Sequence, residues 1–77
     1  MTLEELKIAY NQIIKREKAA EIFLKSDRFF NATEDKKRIW LKAFDDITVQ
    51  LSLLMRNYRE LTGVNMTDIE VIGGFGI

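Results

Sequence analysis

The second half of the chain carries an apolar pattern that only a long α-helix satisfies. Apolar residues recur there at intervals of four and three, at Trp40, Phe44, Ile47, Leu51, Leu54, Tyr58 and Leu61. Such spacing keeps one apolar stripe on one side of a helix. Asn31-Ala32-Thr33-Glu34 is a typical capping signature, and Gly63 stands where a left-handed C-cap is expected. The sequence therefore predicts a helix of about 29 residues that ends before Gly63.

An earlier stripe predicts a second long helix. Thr2-Leu3-Glu4-Glu5 is a capping box, because the Thr2 hydroxyl can accept from the Glu5 amide while the Glu5 carboxylate reaches back. The apolar positions that follow keep to one helical face as far as about Ser26, at Leu3, Leu6, Tyr10, Ile13, Ala20 and Leu24.

The two stripes come into register if the chain turns back at residues 31–33. Residues whose numbers add up to about 64 then face each other across the hairpin. The predicted pairs are Leu3 with Leu61, Leu6 with Tyr58, Tyr10 with Leu54, Ile13 with Leu51, Glu17 with Ile47, Ala20 with Phe44, and Leu24 with Trp40. The predicted fold is therefore all-α, a single domain over residues 1–77 built on two long antiparallel helices.

A two-helix hairpin of 77 residues cannot enclose a sufficient core of its own. Further apolar residues lie outside the seam between the two helices, and a monomer would leave them exposed. We therefore expect the hairpin to form a homo-oligomer by four-helix packing. The residues outside the seam are Ile14, Ile22, Phe23, Ile39, Val49, Leu53 and Met55.

The segment after Gly63 predicts a short C-terminal extension. Thr67-Asp68-Ile69-Glu70 is another possible capping box, with room for one or two helical turns. The glycine-rich ending is expected either to fray or to pack into a neighbouring molecule. Gly73, Gly74 and Phe75 can also turn successive backbone amides toward an anion, which makes them candidate phosphate ligands.

Composition argues against most catalytic and metal chemistry. With no His and no Cys, the common nucleophile arrangements and zinc sites are ruled out, and Glu17 lacks the partner His of a bundle metal site. We expect no enzyme activity, no metal and no cofactor. Twelve basic residues balance twelve acidic ones, so duplex DNA and membrane surfaces are not expected partners. No apolar run reaches the length of a membrane span, and the acidic start does not resemble a signal peptide, so the cytoplasm is the expected location.

Five side chains form a candidate ligand site where two hairpins meet, namely Tyr10, Asn11, Lys25, Arg56 and Arg59. An aromatic ring can stack on a nucleobase, an amide can read its edge, and a basic side chain can hold phosphate. The alternative is that Tyr10 belongs to the core opposite Leu54 and that the basic residues are ordinary surface charges.

Short motifs between Tyr10 and Asn57 resemble a known family. They are Tyr10-x-x-Ile13, Lys18, Phe44-Asp45-Asp46 and Met55-Arg56-Asn57. This segment resembles the hairpin domain of phage proteins that sequester the cyclic oligonucleotide signals of bacterial CBASS defence. The resemblance implies a homo-oligomer, a hexamer in that family, which holds cyclic dinucleotides or oligonucleotides between protomers without cleaving them. It also implies that Tyr10 stacks on a base, Asn11 hydrogen-bonds and Lys25 neutralises phosphate.

Two functions therefore remain open from the sequence. The first is a phage anti-defence sponge that sequesters cyclic nucleotides in the host cytoplasm. The second is a helical hairpin that acts as a protein-interaction or scaffold module, in which the apolar residues outside the seam contact a foreign partner rather than another copy of the chain.

Overall fold

The computed structural model describes residues 1–76, which form four α-helices and no strand. The helices are α1 (Leu3–Leu24), α2 (Asp27–Phe30), α3 (Glu34–Thr62) and α4 (Asp68–Gly73). The two long helices, of 22 and 29 residues, pack together as a hairpin, and α4 packs on α1. The described residues form a rod with principal extents of 44 × 19 × 18 Å. The prediction of an all-α fold is confirmed.

Local capping chemistry sets the ends of both long helices. The Thr2 amide donates to the Glu5 carboxylate (3.0 Å) and the Glu5 amide donates to the Thr2 hydroxyl (3.2 Å), so the predicted capping box is present. Because the Glu5 carboxylate accepts from Thr2, the pKa of Glu5 is lowered. The N-cap of α3 is Thr33 rather than Asn31, and Gly63 ends the helix in the left-handed region (φ 77°).

The turn between the long helices contains a short helix that the sequence analysis missed. The Ser26 hydroxyl accepts from the Phe29 amide (3.4 Å) and begins α2. The reversal therefore begins soon after α1 ends at Leu24 rather than at residues 31–33. The ring centroid of Phe23, a residue expected outside the seam, lies 4.7 Å from that of Trp40. The ring centroid of Phe29 lies 6.2 Å from that of Phe23 and 6.0 Å from that of Trp40. Edge-to-face contacts of this kind stabilise the closed end of the hairpin.

The buried core lies in the half of the hairpin that contains the chain termini. Its members are Leu6, Tyr10, Ile14, Leu51, Leu54 and Phe75. Four of these six lie in the predicted seam. Ile14 was expected outside the seam but is only 3% exposed and belongs to the same core cluster as Phe75. Met55, also expected outside, packs against this core.

The seam opens at the end of α3. Leu61, which was predicted to face Leu3, is 51% exposed, so this position of the seam is not buried. Helix ends lie where tertiary contacts are fewest, and a purely periodic extrapolation does not account for that loss of packing.

Candidate functional site

The side chain of Asn11 holds the C-terminal segment against α1. Its Nδ2 donates to the Phe75 carbonyl (2.8 Å), and the Phe75 amide donates to its Oδ1 (2.6 Å). We call Asn11, Gly74 and Phe75 the C-terminal clasp. The expectation that this segment frays or packs into a neighbour is wrong for the described residues, since it packs on its own chain.

The ring of Phe75 fills an aromatic pocket between the two long helices. Its centroid lies 5.6 Å from the Tyr10 ring at a near-perpendicular angle and 5.4 Å from the Tyr58 ring. The Lys7 ammonium lies 5.4 Å from the Phe75 ring centroid. Phe75 is therefore a core residue supplied by the C-terminal segment.

Tyr10 is completely buried beneath this segment. Its exposed fraction is 0%, and its hydroxyl donates to the Val71 carbonyl (2.8 Å). That carbonyl belongs to the last turn of α4, where carbonyls lack intrahelical partners. Burial and, secondarily, the negative charge of Glu17 raise the pKa of Tyr10. In this conformation Tyr10 belongs to the core, and stacking on a nucleobase requires the C-terminal segment to move away.

The glycine-rich turn uses its backbone amides within the chain. The Gly74 amide donates to the Glu70 carbonyl (2.8 Å), and the next amide is held by Asn11. Gly74 has φ 83° and ψ −170°, a backbone conformation that residues other than glycine rarely adopt. Both amides donate to oxygen atoms of the chain itself. The phosphate-cradle hypothesis requires them to donate to an anion instead. Gly73 is the last residue of α4, and a Cβ added there would meet nothing within 4 Å among the described residues.

The basic candidates are all exposed on the surface of the hairpin. Lys25 is exposed at the C-cap of α1, about 22 Å along the helix axis from Tyr10 at 1.5 Å per residue. Arg56 and Arg59 are exposed on α3. One chain therefore joins Tyr10, Asn11 and the C-terminal segment into a cluster, and Lys25 lies too far along α1 to belong to it.

An open groove lies beside the clasp, and we call it the interhelical groove. Its volume is about 320 Å³. Leu51 and Met55 supply apolar surface, and Glu17, Glu21 and Lys18 are the charged residues along it, so its formal charge is negative. The lining residues are Tyr10, Glu17, Lys18, Glu21, Thr48, Leu51, Ser52, Met55, Val71 and Ile72.

The hydroxyls of the groove are already engaged as donors. Thr48 donates to the Phe44 carbonyl and Ser52 to the Thr48 carbonyl, both at 3.1 Å. Each hydroxyl therefore offers mainly acceptor capacity to a ligand. The apolar periodicity does not predict this groove, because one of its walls is α4, whose position no periodic pattern specifies.

Residues 1–76 bring no three acidic side chains together in a way that could hold a metal ion. None of their helices combines the length and the apolar character that crossing a bilayer requires.

No family model, curated protein or solved structure matches this chain.

Proposed function

We propose that this chain is a helical-hairpin protein-interaction module and that its first partner is a second copy of itself. The observation that carries the proposal is a set of large apolar side chains that point outward from the hairpin. Among residues that the sequence placed outside the seam, Ile22, Ile39, Val49 and Leu53 are 74%, 67%, 57% and 49% exposed.

Two physical considerations support self-association. Among residues 1–76 the core contains six buried residues, which is little for a chain in which the ordering entropy costs about 1.5 kcal/mol per residue. The outward apolar surface offers further burial at about 25 cal/mol per Å² if another molecule covers it. Balanced charge, twelve basic against twelve acidic residues, adds no net repulsion between copies.

Sedimentation equilibrium at micromolar concentrations tests self-association. We expect a mass that is a multiple of 9.0 kDa and a melting temperature that rises with protein concentration, since only the folded assembly is favoured by mass action. A species of 9.0 kDa with concentration-independent melting up to about 100 μM, on the affinity scale for weak association, would refute this function.

A second candidate function is the sequestration of cyclic dinucleotides or oligonucleotides by a phage anti-defence sponge. The interhelical groove favours it, because about 320 Å³ lies within the usual range for small-molecule sites and its apolar side suits a base. The groove carboxylates, Glu17 and Glu21, would repel phosphate. This function therefore needs cations from another copy, for which Lys25, Arg56 and Arg59 are the candidates.

Calorimetric titration with a panel of cyclic dinucleotides tests the sponge. We expect micromolar or tighter binding, return of intact nucleotide by chromatography, and about tenfold weaker binding by Lys18→Ala or Lys25→Ala through loss of a charge-assisted hydrogen bond. Lys36→Ala is the matched control, since Lys36 is exposed in the first turn of α3 and does not line the groove. Absence of heat at high micromolar nucleotide would exclude the sponge and leave the interaction module.

A further inference from the structure

The side of α3 that faces away from the core carries a second periodic pattern. Its residues recur at alternating intervals of three and four, and all of them are exposed. We call them the outer stripe: Ile39, Lys42, Asp46, Val49, Leu53, Arg56 and Glu60. From Lys42 to Glu60 the stripe is about 27 Å long at 1.5 Å per residue.

The outer stripe is complementary to itself when two copies of α3 pack antiparallel. If the twofold axis passes at the level of Leu51, residues whose numbers add up to 102 oppose each other. The opposed pairs are then Val49 with Leu53, Asp46 with Arg56, and Lys42 with Glu60. Apolar residues meet at the centre, opposite charges meet on either side, and the symmetry provides each pair twice.

We propose that the outer stripe is the interface of a symmetric dimer of this chain, with the two α3 helices antiparallel in this register. The proposal rests on the self-association argued above and names its surface. The apolar centre supplies burial, while the charged pairs select orientation and register, because exposed ion pairs discriminate between partners more than they stabilise them.

Neighbouring registers are less favourable for apolar contact and for charge pairing. A shift of one heptad toward the helix start opposes Val49 with Asp46, and a shift toward the helix end opposes Val49 with Glu60. Either shift places a carboxylate against an apolar side chain and separates the oppositely charged pairs. Such unpaired, partly desolvated charges oppose association.

The outward side of α1 lacks this complementarity. Antiparallel pairing of its exposed residues Ile8 and Ile22 places the twofold axis at Lys15. Lys15 then faces its own copy, and like charges at a symmetry axis repel. The observations therefore favour α3 over α1 as the dimer helix.

The existing ion pair on the stripe is compatible with the dimer. Lys42 Nζ lies 3.6 Å from Asp46 Oδ1 within one helix, and both side chains are largely exposed. Of the ion pairs among residues 1–76, none involves Arg56 or Glu60. A second copy would thus supply Arg56 and Glu60 with partners and extend the Lys42–Asp46 pair into a network.

A charge exchange on the full chain tests the register. In a dimer of Asp46→Arg alone, the new side chain at position 46 faces Arg56 of the other copy, so two arginines oppose each other at two places. In a dimer of Arg56→Asp alone, two aspartates oppose each other at the same two places. By sedimentation equilibrium we expect each variant to dimerise roughly tenfold to a hundredfold more weakly than the parent, since a close like-charge pair replaces an attractive one at two places. Mixing the two variants restores both attractive pairs, so we expect a mixed dimer with near-parental affinity.

Lys15→Asp is the control, because it makes the same change of charge as Arg56→Asp, but on the exposed side of α1. It is expected to leave dimer affinity within about threefold of the parent. Circular dichroism verifies that all variants remain helical. Full-strength self-association by both stripe variants, or failure of the mixture to recover, overturns this interface while self-association itself stands. A monomeric parent overturns self-association as well.

Discussion

Tyr10→Ala is expected to lower the free energy of unfolding by about 3–5 kcal/mol, the usual cost of removing a fully buried aromatic ring. Tyr10 is 0% exposed and contacts the Phe75 ring, so its loss leaves a cavity at the centre of the core. For a domain of this size that cost is a large part of the total stability, and we expect the midpoint of thermal unfolding to fall by at least about 12 °C. A change below 2 °C on that scale would show that the ring is not part of the core.

Tyr10→Phe separates the ring from its hydroxyl. The variant keeps the packing but loses the hydrogen bond to the Val71 carbonyl, so a smaller loss of about 1 kcal/mol is expected. It also gives a pH signature. Because the pKa of Tyr10 is raised by folding, its contribution to stability is fully present below about pH 10, the ordinary tyrosine pKa. That contribution is lost as the pH rises from there through the pKa of the folded state, and Tyr10→Phe should lack this part of the alkaline loss.

Gly74→Ala is expected to open the C-terminal clasp and destabilise the fold by about 2–4 kcal/mol, the sum of backbone strain and lost hydrogen bonds. Gly74 has φ 83°, and a Cβ there would overlap the Asn11 side chain. The segment must then move, and the Phe75 ring leaves its pocket. The Phe75 amide donates its hydrogen bond to Asn11 Oδ1, so faster hydrogen exchange of this amide reports the opening directly.

Two neighbouring glycines are the controls for Gly74. An added Cβ at Gly73 or Gly76 meets nothing within 4 Å, and neither residue has positive φ. Gly73→Ala and Gly76→Ala are therefore expected to change stability by no more than about 1 kcal/mol, with a gain possible because alanine restricts the unfolded chain. Equal melting temperatures for all three variants would mean that Asn11 does not hold this segment in solution.

The candidate site shows which residues a linear pattern can place. Asn11 and Phe75 stood out separately, one as an amide near an aromatic ring and the other in a glycine-rich ending. Their hydrogen bonds join positions 64 residues apart, a separation that no helical repeat encodes. Conversely, Lys25 and Arg56 have the exposed positions expected of surface charges, and Lys25 lies about 22 Å along α1 from Tyr10 at 1.5 Å per residue.

The sequence by itself determined the two long helices, because their causes are local. Capping at Thr2 and Gly63 depends on residues within one turn, and the apolar periodicity specifies which side of each long helix packs.

Tertiary structure decided the rest, because its causes are distant contacts. It buried Ile14, exposed Leu61 and placed Phe75 against Tyr10. Periodicity limits the direction in which a side chain points, but only the packing of α4 and the C-terminal segment on the hairpin decides which outward positions lose contact with water.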